Sequence, residues 1–244
     1  MPSKEYYEGR DMEKNKFLHE HLINFFKFDK IDSDGSTQTK TDVIGIKNGQ
    51  KICLSVKNAS GKNTQVHLTT LKKLTSDLNI PNNIVSKLIL WFGTNDMNEF
   101  ELLSSGKKLS KYEIDHSRFT SNNIKDWDKV PEWFNANNRK IASLLIQSLN
   151  NGEKSKFLVW NNKVKKSLQI VDIPKLIDFI EKECIWITMP SGTILRCITP
   201  NNKAILWLQM KGNHTDEGYN RCPQFHLVEN WPEEIVLSKQ IVAL

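Results

Sequence analysis

The sequence predicts an α+β fold, on three observations. The front half interleaves helical periods with one hairpin pattern, the back half from Gly152 onward is mainly short β-like runs, and no Pro/Gly/Ser-rich linker divides them. At 244 residues, with 39% hydrophobic and 25% charged side chains, the chain can bury a sizeable core and is too apolar to stay unfolded. Residues 1–244 are therefore read as a single domain.

Glu13 to Phe26 places Phe17, Leu18, Leu22, Phe25 and Phe26 on one side at helical spacing, with Lys14, Lys16, Glu20 and Lys27 toward the other, the pattern of an amphipathic helix. A polar loop, Asp32-Ser33-Asp34-Gly35-Ser36-Thr37, follows. Two β-like runs, Thr41 to Lys47 and Lys51 to Asn58, flank Asn48-Gly49, a strong signal for a two-residue hairpin because both residues tolerate positive φ. Helices are expected around Gln65 to Leu78 and over Pro81 to Phe92, the second with proline at its start. Gly93 to Lys129 shows no clear period. Pro131 to Leu149 is helical in pattern, with Phe134, Ile141, Leu144, Leu145 and Leu149 as its apolar face. Strands are then expected at Phe157 to Trp160, Val164 to Val171, Ile185 to Met189, Ile194 to Thr199 and Ala204 to Met210, with one helix at Pro174 to Glu183 among them. Asn161-Asn162, Ser191-Gly192 and Asn201-Asn202 supply turns.

The net charge of +6 suits a polyanionic partner, since lysines and arginines that neutralise phosphates release counterions. Cys53, Cys184, Cys197 and Cys222 form no C-x-x-C pair and read as reduced, mostly buried thiols. Met1 to Arg10 lacks the apolar run of a signal peptide and no stretch reaches membrane-spanning length, so a cytoplasmic protein without a membrane partner is expected. Trp133, Trp186 and Trp207 fall in apolar runs and are assigned to the core. His19 and His21 cannot share one helix face, so they are poor metal partners.

The hairpin carries the chemistry. With Lys47 opposite Gln50, every cross-strand pair has the same summed number, which puts Asp42 directly opposite Ser55. Alternation then sets Ile52, Leu54 and Val56 on the buried apolar face and gathers Asp42, Ser55 and Lys57 on the other. Phosphodiester hydrolysis needs a metal to activate water and a cation to meet developing charge, and a carboxylate with a nearby lysine supplies those parts. Asp42 would ligate a hard ion such as Mg²⁺, which takes few protein ligands. The alternative is a solvated hairpin with ordinary surface charges.

Gly-Ser-x-x-x-Lys-Thr-Asp ahead of the first strand, Ser55-Val56-Lys57 on the second and Asn58-Ala59-Ser60-Gly61-Lys62-Asn63-Thr64-Gln65 after it together resemble the core of PD-(D/E)XK type II restriction endonucleases. The resemblance implies a mixed central sheet flanked by helices, a catalytic core over 1–92 and a β-rich part, 153–244, that contributes to DNA recognition. It assigns Asp42 as metal ligand and Asp42, Ser55 and Lys57 as catalytic. Gly9-Arg10-Asp11-Met12-Glu13 resembles the start of the family's glutamate-bearing helix, so Glu13 is carried over as a supporting acid, with Glu20 its rival. Ser55 departs from the expected Asp or Glu and brings no charge.

Asn58, Ser60, Lys62, Asn63 and Gln65 could reach phosphates or base edges beside the scissile bond, though Ser60, Asn63 or Thr64 could instead cap a helix. A second cluster, Gln209, Lys211, Asn213 and Gln224, offers amide and cationic donors suited to purine edges. Gln209, Lys211 and Asn213 are expected to alternate on a strand that runs into a loop. This region resembles that of compact members of the family that cut short GCGC or CCGG sites, with His226 where a lysine is expected.

The resemblance thus implies a Mg²⁺-dependent type II restriction endonuclease acting on double-stranded DNA, accompanied genetically by a cognate methyltransferase. The rival readings are a structure-specific repair or junction nuclease and a catalytically inactive DNA-binding module.

Overall fold

The computed structural model describes residues 12–32, 43–59, 61–68, 70–92, 103–104, 107–108, 119–147, 149–150, 153–162, 164–215 and 218–241, without the side chains of 12–17, 32, 67–68, 103–104, 107–108, 149–150, 153, 210–215 and 218–221. The fold is α+β with a mixed sheet, as the sequence predicts. The chain divides into two compact units, one of Met1–Gly61, Ile146–Leu176 and Pro232–Leu244, the other of Lys62–Leu145 and Ile177–Trp231.

In the first unit, helix α1 (Met12–Phe26) precedes β1 (Lys30–Asp32), β2 (Val43–Lys47) and β3 (Gln50–Ala59). Lys27 adopts φ 57° and the Phe28 amide donates to the Ile23 carbonyl at 3.3 Å, which ends the helix. Asn48 and Gly49 sit at φ 51° and 75°, the positive values a tight hairpin turn demands. The sheet order is β1-β2-β3-β9-β10-β15, with β9 at Phe157–Asn162, β10 at Ser167–Asp172 and β15 at Val236–Ile241. β3 and β9 run parallel and the other neighbours antiparallel. A two-stranded ribbon of β7 (Leu149–Asn150) and β8 (Glu153–Lys154) stands apart.

The core of this unit packs α1 on one sheet face. Leu18, Leu22 and Phe26 meet Phe28, Val43, Leu54, Val159, Leu168 and Ile170, with Ile52 and Val56 packed against them. Each such side chain removed from water contributes about 1.5–3 kcal/mol, so the helix is held by its apolar stripe and not by intrinsic propensity. Phe25, expected on that stripe, is exposed; Phe17 lies outside the described side chains. Gly45 occupies a strand interior because the Phe28 ring fills the space a Cβ would take. The strand expected at Val164 to Val171 begins only at Ser167, since 164–166 form a turn with Lys166 at φ 47°.

In the second unit, β4 (Asn63–Leu68) leads to α2 (Leu71–Leu78) and α3 (Asn82–Phe92), then a ribbon of β5 (Leu103–Ser104) and β6 (Lys107–Lys108). The helix expected over Gln65 to Leu78 is thus two elements. Val66 and Leu68 follow the two-residue period, and Leu71, Leu74 and Leu78 follow the helical one. Thr70 marks the switch: its Oγ1 accepts from the Lys73 amide at 3.1 Å, so the cap is Thr70 and none of Ser60, Asn63 and Thr64. The helix expected over Pro131 to Leu149 is likewise broken, into α4 (Lys129–Ala136) and α5 (Asn138–Ile146), at Asn137, whose Nδ2 donates to the Trp133 carbonyl at 2.9 Å. Helix α6 (Ile173–Glu183) begins in the first unit and ends in the second.

The second sheet is antiparallel, in the order β11-β12-β13-β14-β4, with β11 at Ile185–Thr188, β12 at Ile194–Ile198, β13 at Ala204–Thr215 and β14 at Gly218–Val228. The strand expected to end at Met210 runs on to Thr215 and pairs along its length with β14, which the polar composition of 211–221 had concealed. One face buries Trp186, Leu195, Cys197, Leu206, Leu208, Phe225 and Leu227. Beneath it Asn138, 3% exposed, acts as a polar knot: its Nδ2 donates to the Ile180 and Cys184 carbonyls at 2.6 and 3.0 Å and its Oδ1 accepts from Trp186 Nε1 at 3.0 Å. Burial beside Cys184 pushes the Cys197 thiol well above its ordinary range. No helix among the described residues is long and apolar enough to cross a membrane.

Candidate active site and nucleic-acid interface

In the first unit the hairpin register is Val43 opposite Leu54 through Lys47 opposite Gln50, the pairing the Asn-Gly turn predicts. Asp42 and Ser60 lie outside the described residues, and Glu13 is described only as backbone at the head of α1. Ser55 and Lys57 share the sheet face opposite the α1 core, where Leu158, Trp160 and Gln169 stand beside them by register. That face is more enclosed than the sequence implies. Cys53, Leu54 and Ser55 are all buried, Ser55 with no accessible surface, whereas alternation alone assigned burial to Leu54's face only. β3 is paired on both edges in its sheet, and Lys57, two residues on from Ser55, is half-buried.

At the far ends of the parallel pair β3 and β9, Asn161 Nδ2 donates to Asn58 Oδ1 at 2.9 Å. The adjacent Asn162, 1% exposed, donates to the Gly61 carbonyl at 3.0 Å and accepts from the Val164 and Lys165 amides, which ties the end of β9 to its turn. Asn58 is exposed; an amide pair in that position can meet a polar ligand at the strand ends.

In the second unit Gln65 stands on β4, and so do Asn63 and Thr64. The sheet brings Gln65, Gln209 and Gln224 together: Gln209 Nε2 donates to Gln224 Oε1 at 3.3 Å, and Gln224 Nε2 donates to Gln65 Oε1. Lys211 and Asn213 continue the phase of Gln209 along β13, but within a paired strand and not at a loop; their side chains lie outside the description. Lys62 is exposed and its carbonyl accepts from the Glu229 amide at 3.0 Å.

Three more residues join this polar face: Arg196 and Trp207, which the sequence did not place there, and His226, which it marked only as standing where a lysine is expected. Register aligns Arg196, Trp207, His226 and Gln65 across β12, β13, β14 and β4. Arg196 lies over the Trp207 ring at 6.0 Å, the Trp207 and His226 rings are 5.2 Å apart, and Gln209 Nε2 is 3.2 Å from His226 Nε2. Trp207, expected in the core, is on the opposite face from Leu206 and Leu208 and only half-buried. Arg196 Nε and Trp207 Nε1 are buried donors with no hydrogen-bond partner among the described residues. The signal for all three was strand phase: each alternates with core residues, Leu195 and Cys197, Leu206 and Leu208, Phe225 and Leu227.

Among the described residues, no group of three His, Cys, Asp or Glu side chains could hold a metal ion. The described residues that register sets beside Ser55 and Lys57, namely Leu158, Trp160 and Gln169, carry no charge.

No protein-family model matches the chain, and no curated protein matches its sequence. Two solved structures to which it is similar are restriction endonuclease MspI in complex with its cognate DNA, at 12% identity and a TM-score of 0.44 over 86% of this chain and 77% of that one, and HhaI endonuclease in complex with DNA, at 12% identity and a TM-score of 0.35 over 92% and 93%.

Proposed function

We propose that this chain is a DNA-cleaving nuclease, and more finely a type II restriction endonuclease that hydrolyses double-stranded DNA at a short specific site with Mg²⁺. Its two units would make one PD-(D/E)XK endonuclease, the first supplying the cleavage chemistry and the second the base reading. The observation that carries this reading is the hairpin: the described register is the one that the sequence used to set Asp42 opposite Ser55, and it leaves Lys57 half-buried on Ser55's face. A lysine at that strand position can meet an anionic phosphate brought to the same face.

Asp42 would hold the ion, which when bound supplies Lewis-acid activation of the phosphate and of water, with Glu13 kept on sequence alone as a supporting acid. Lys57 would orient the attacking water and meet negative charge as it develops. Ser55 offers only a hydroxyl, so it shapes the site without adding charge. Asn58, Lys62 and Asn63 would contact the DNA backbone, and Gln65, Gln209, Lys211, Asn213 and Gln224 the base edges. Ser60 stays in the proposed set on sequence alone.

Incubation with mixed-sequence plasmid and Mg²⁺ should give discrete fragments, lost in Asp42→Ala and Lys57→Ala. Cutting that follows DNA structure without a fixed fragment pattern would replace this reading with a junction or repair nuclease. Intact plasmid with salt-sensitive binding would leave an inactive DNA-binding module. A methyltransferase that protects the same site is the expected companion, because an unmodified host genome would be cut.

A further inference from the structure

The polar face of the second sheet contains three carboxamides in series, and the series ends on an imidazole. Gln209 Nε2 lies 3.3 Å from Gln224 Oε1 and 3.2 Å from His226 Nε2, and Gln224 Nε2 donates to Gln65 Oε1. A carboxamide nitrogen has two N–H donors and accepts nothing, so both donors of Gln209 are committed and His226 Nε2 is the acceptor. The imidazole is then neutral, with its proton on Nδ1. Each amide fixes the next: Gln209 presents nitrogen to Gln224 oxygen, and Gln224 must present nitrogen to Gln65 oxygen. The ends of the relay are therefore defined. Gln209 Oε1 is left as an acceptor and Gln65 Nε2 as a donor, with Gln224 buried between them and Gln65 exposed.

We infer that His226 sets the donor–acceptor polarity of this glutamine relay and is thereby a specificity-determining positioning residue of the DNA-reading face. The choice of duplex DNA as ligand rests on the endonuclease reading; the relay itself does not. When His226 gains a proton, Nε2 becomes a donor and can no longer face Gln209 nitrogen. Gln209 turns its amide, and the two lone pairs of its Oε1 then take His226 Nε2–H and Gln224 Nε2–H. Gln224 must turn as well, which sets its oxygen toward Gln65, and Gln65 turns in its place. Every hydrogen bond is remade with reversed sense, so Gln209 now ends in a donor and Gln65 in an acceptor.

Base edges distinguish these two states. Donors select guanine O6 and N7 or thymine O4, whereas acceptors select the amino groups of cytosine and adenine. Reversal therefore changes which base each end of the array favours. The groups around the imidazole can follow the change. Trp207 faces it from β13 and Gln65 from β4; beyond Trp207 stands the Arg196 guanidinium of β12. Cys222 and Lys211 occupy paired positions further along the face. The helices that meet β14, α2 and α3, bring Lys72, Lys73, Asp77 and Lys87, of which the first three are exposed and Asp77 is paired with Lys73 at 3.1 Å. No carboxylate faces the imidazole from β12, β13, β14 or β4 among the described side chains.

The test is selection of the full chain on a randomised duplex library, with chelator present so that nothing is cut, at roughly pH 8 and roughly pH 5.5, either side of the imidazole range. The wild-type protein should enrich different sequences at the two values, with relative affinities changing on the order of 10-fold. His226→Lys, a donor that cannot accept, should enrich the acid set at both. One and the same set at both values, with His226→Lys matching the wild type at pH 8, overturns the inference and leaves the endonuclease reading standing. No enrichment at either value overturns both. A second measurement needs neither a variant nor DNA: the side-chain nitrogen resonances of His226 in the free protein should show Nε2 unprotonated at about pH 8, and a proton on Nε2 there refutes the relay whatever the selection yields.

Discussion

Ser55→Glu restores the acid that the resemblance expects, and the burial of Ser55 makes the outcome quantitative. The side chain has no accessible surface and its face is shared with buried Cys53, Leu158 and Trp160. The larger side chain costs about 1–3 kcal/mol in overpacking, and an unpaired buried carboxylate costs several more. Against a typical total stability of about 5–15 kcal/mol the variant stays folded but is clearly weakened. If a divalent ion binds at this face, the new carboxylate becomes a ligand, and Mg²⁺ at about a hundred times its Kd returns roughly 2.7 kcal/mol. Ser55→Gln has nearly the same volume and no charge, so it should carry the packing cost with a smaller Mg²⁺ recovery than the glutamate. Urea unfolding of the three proteins with and without Mg²⁺ separates the terms. Wild-type stability for Ser55→Glu would refute the buried placement of Ser55. Equal Mg²⁺ response of the Glu and Gln variants would refute coordination of the ion at position 55.

Gly45→Ala drives a methyl into the Phe28 ring and should lower stability by about 1–3 kcal/mol in denaturant unfolding, with Phe28→Leu relieving part of it. Asn138→Leu removes its hydrogen bonds to the Ile180 and Cys184 carbonyls and to the Trp186 indole N–H in the second core, and should cost about 3 kcal/mol or more in the same assay. Burial holds His21 below the ordinary imidazole value, so below about pH 6.5 the unfolded chain binds the extra proton first. Stability should therefore fall as pH drops through and below that point, and His21→Leu should flatten this part of the urea-midpoint profile. The Cys197 thiol, pushed up by burial, favours the protonated folded state, so its contribution is complete below about pH 8.5 and fades as pH rises above it. Cys197→Ala should reduce the alkaline loss of stability.

The first unit was legible wherever a local rule fixes geometry. Asn48-Gly49 admits one kind of turn, and the turn dictates the register of β2 on β3 and hence which residues share Leu54's face. α1 followed from its period, apart from Phe25, whose position at the edge of the stripe leaves it in solvent. What the hairpin could not disclose is its neighbour on the other side. β9 joins β3 from about a hundred residues downstream and sets buried Leu158 and Trp160 beside Ser55 and Lys57 on a face whose own sequence is polar. A long-range strand adds such neighbours without leaving a local mark.

The same limit, applied to the second unit, explains why Gln65 was set on a helix and Arg196, Trp207 and His226 were left out of the polar face. Each strand of that sheet is apolar on one phase and mixed on the other, and the mixed phase is interpretable only when four registers are known together. Arg196 alone is a charge in an apolar run; Trp207 alone is a core aromatic; His226 alone is a substitution for lysine. Aligned across β12, β13 and β14, they become one row beside the glutamine series. The 12-residue length of β13 is the decisive fact, because pairing to Thr215 puts Gln209 in mid-strand, where its side chain is held between Gln224 and His226. In a loop the same glutamine would rotate freely and would carry no preferred donor sense. A strand position converts an amide from a generic polar contact into a directed one, and directedness is what base discrimination requires.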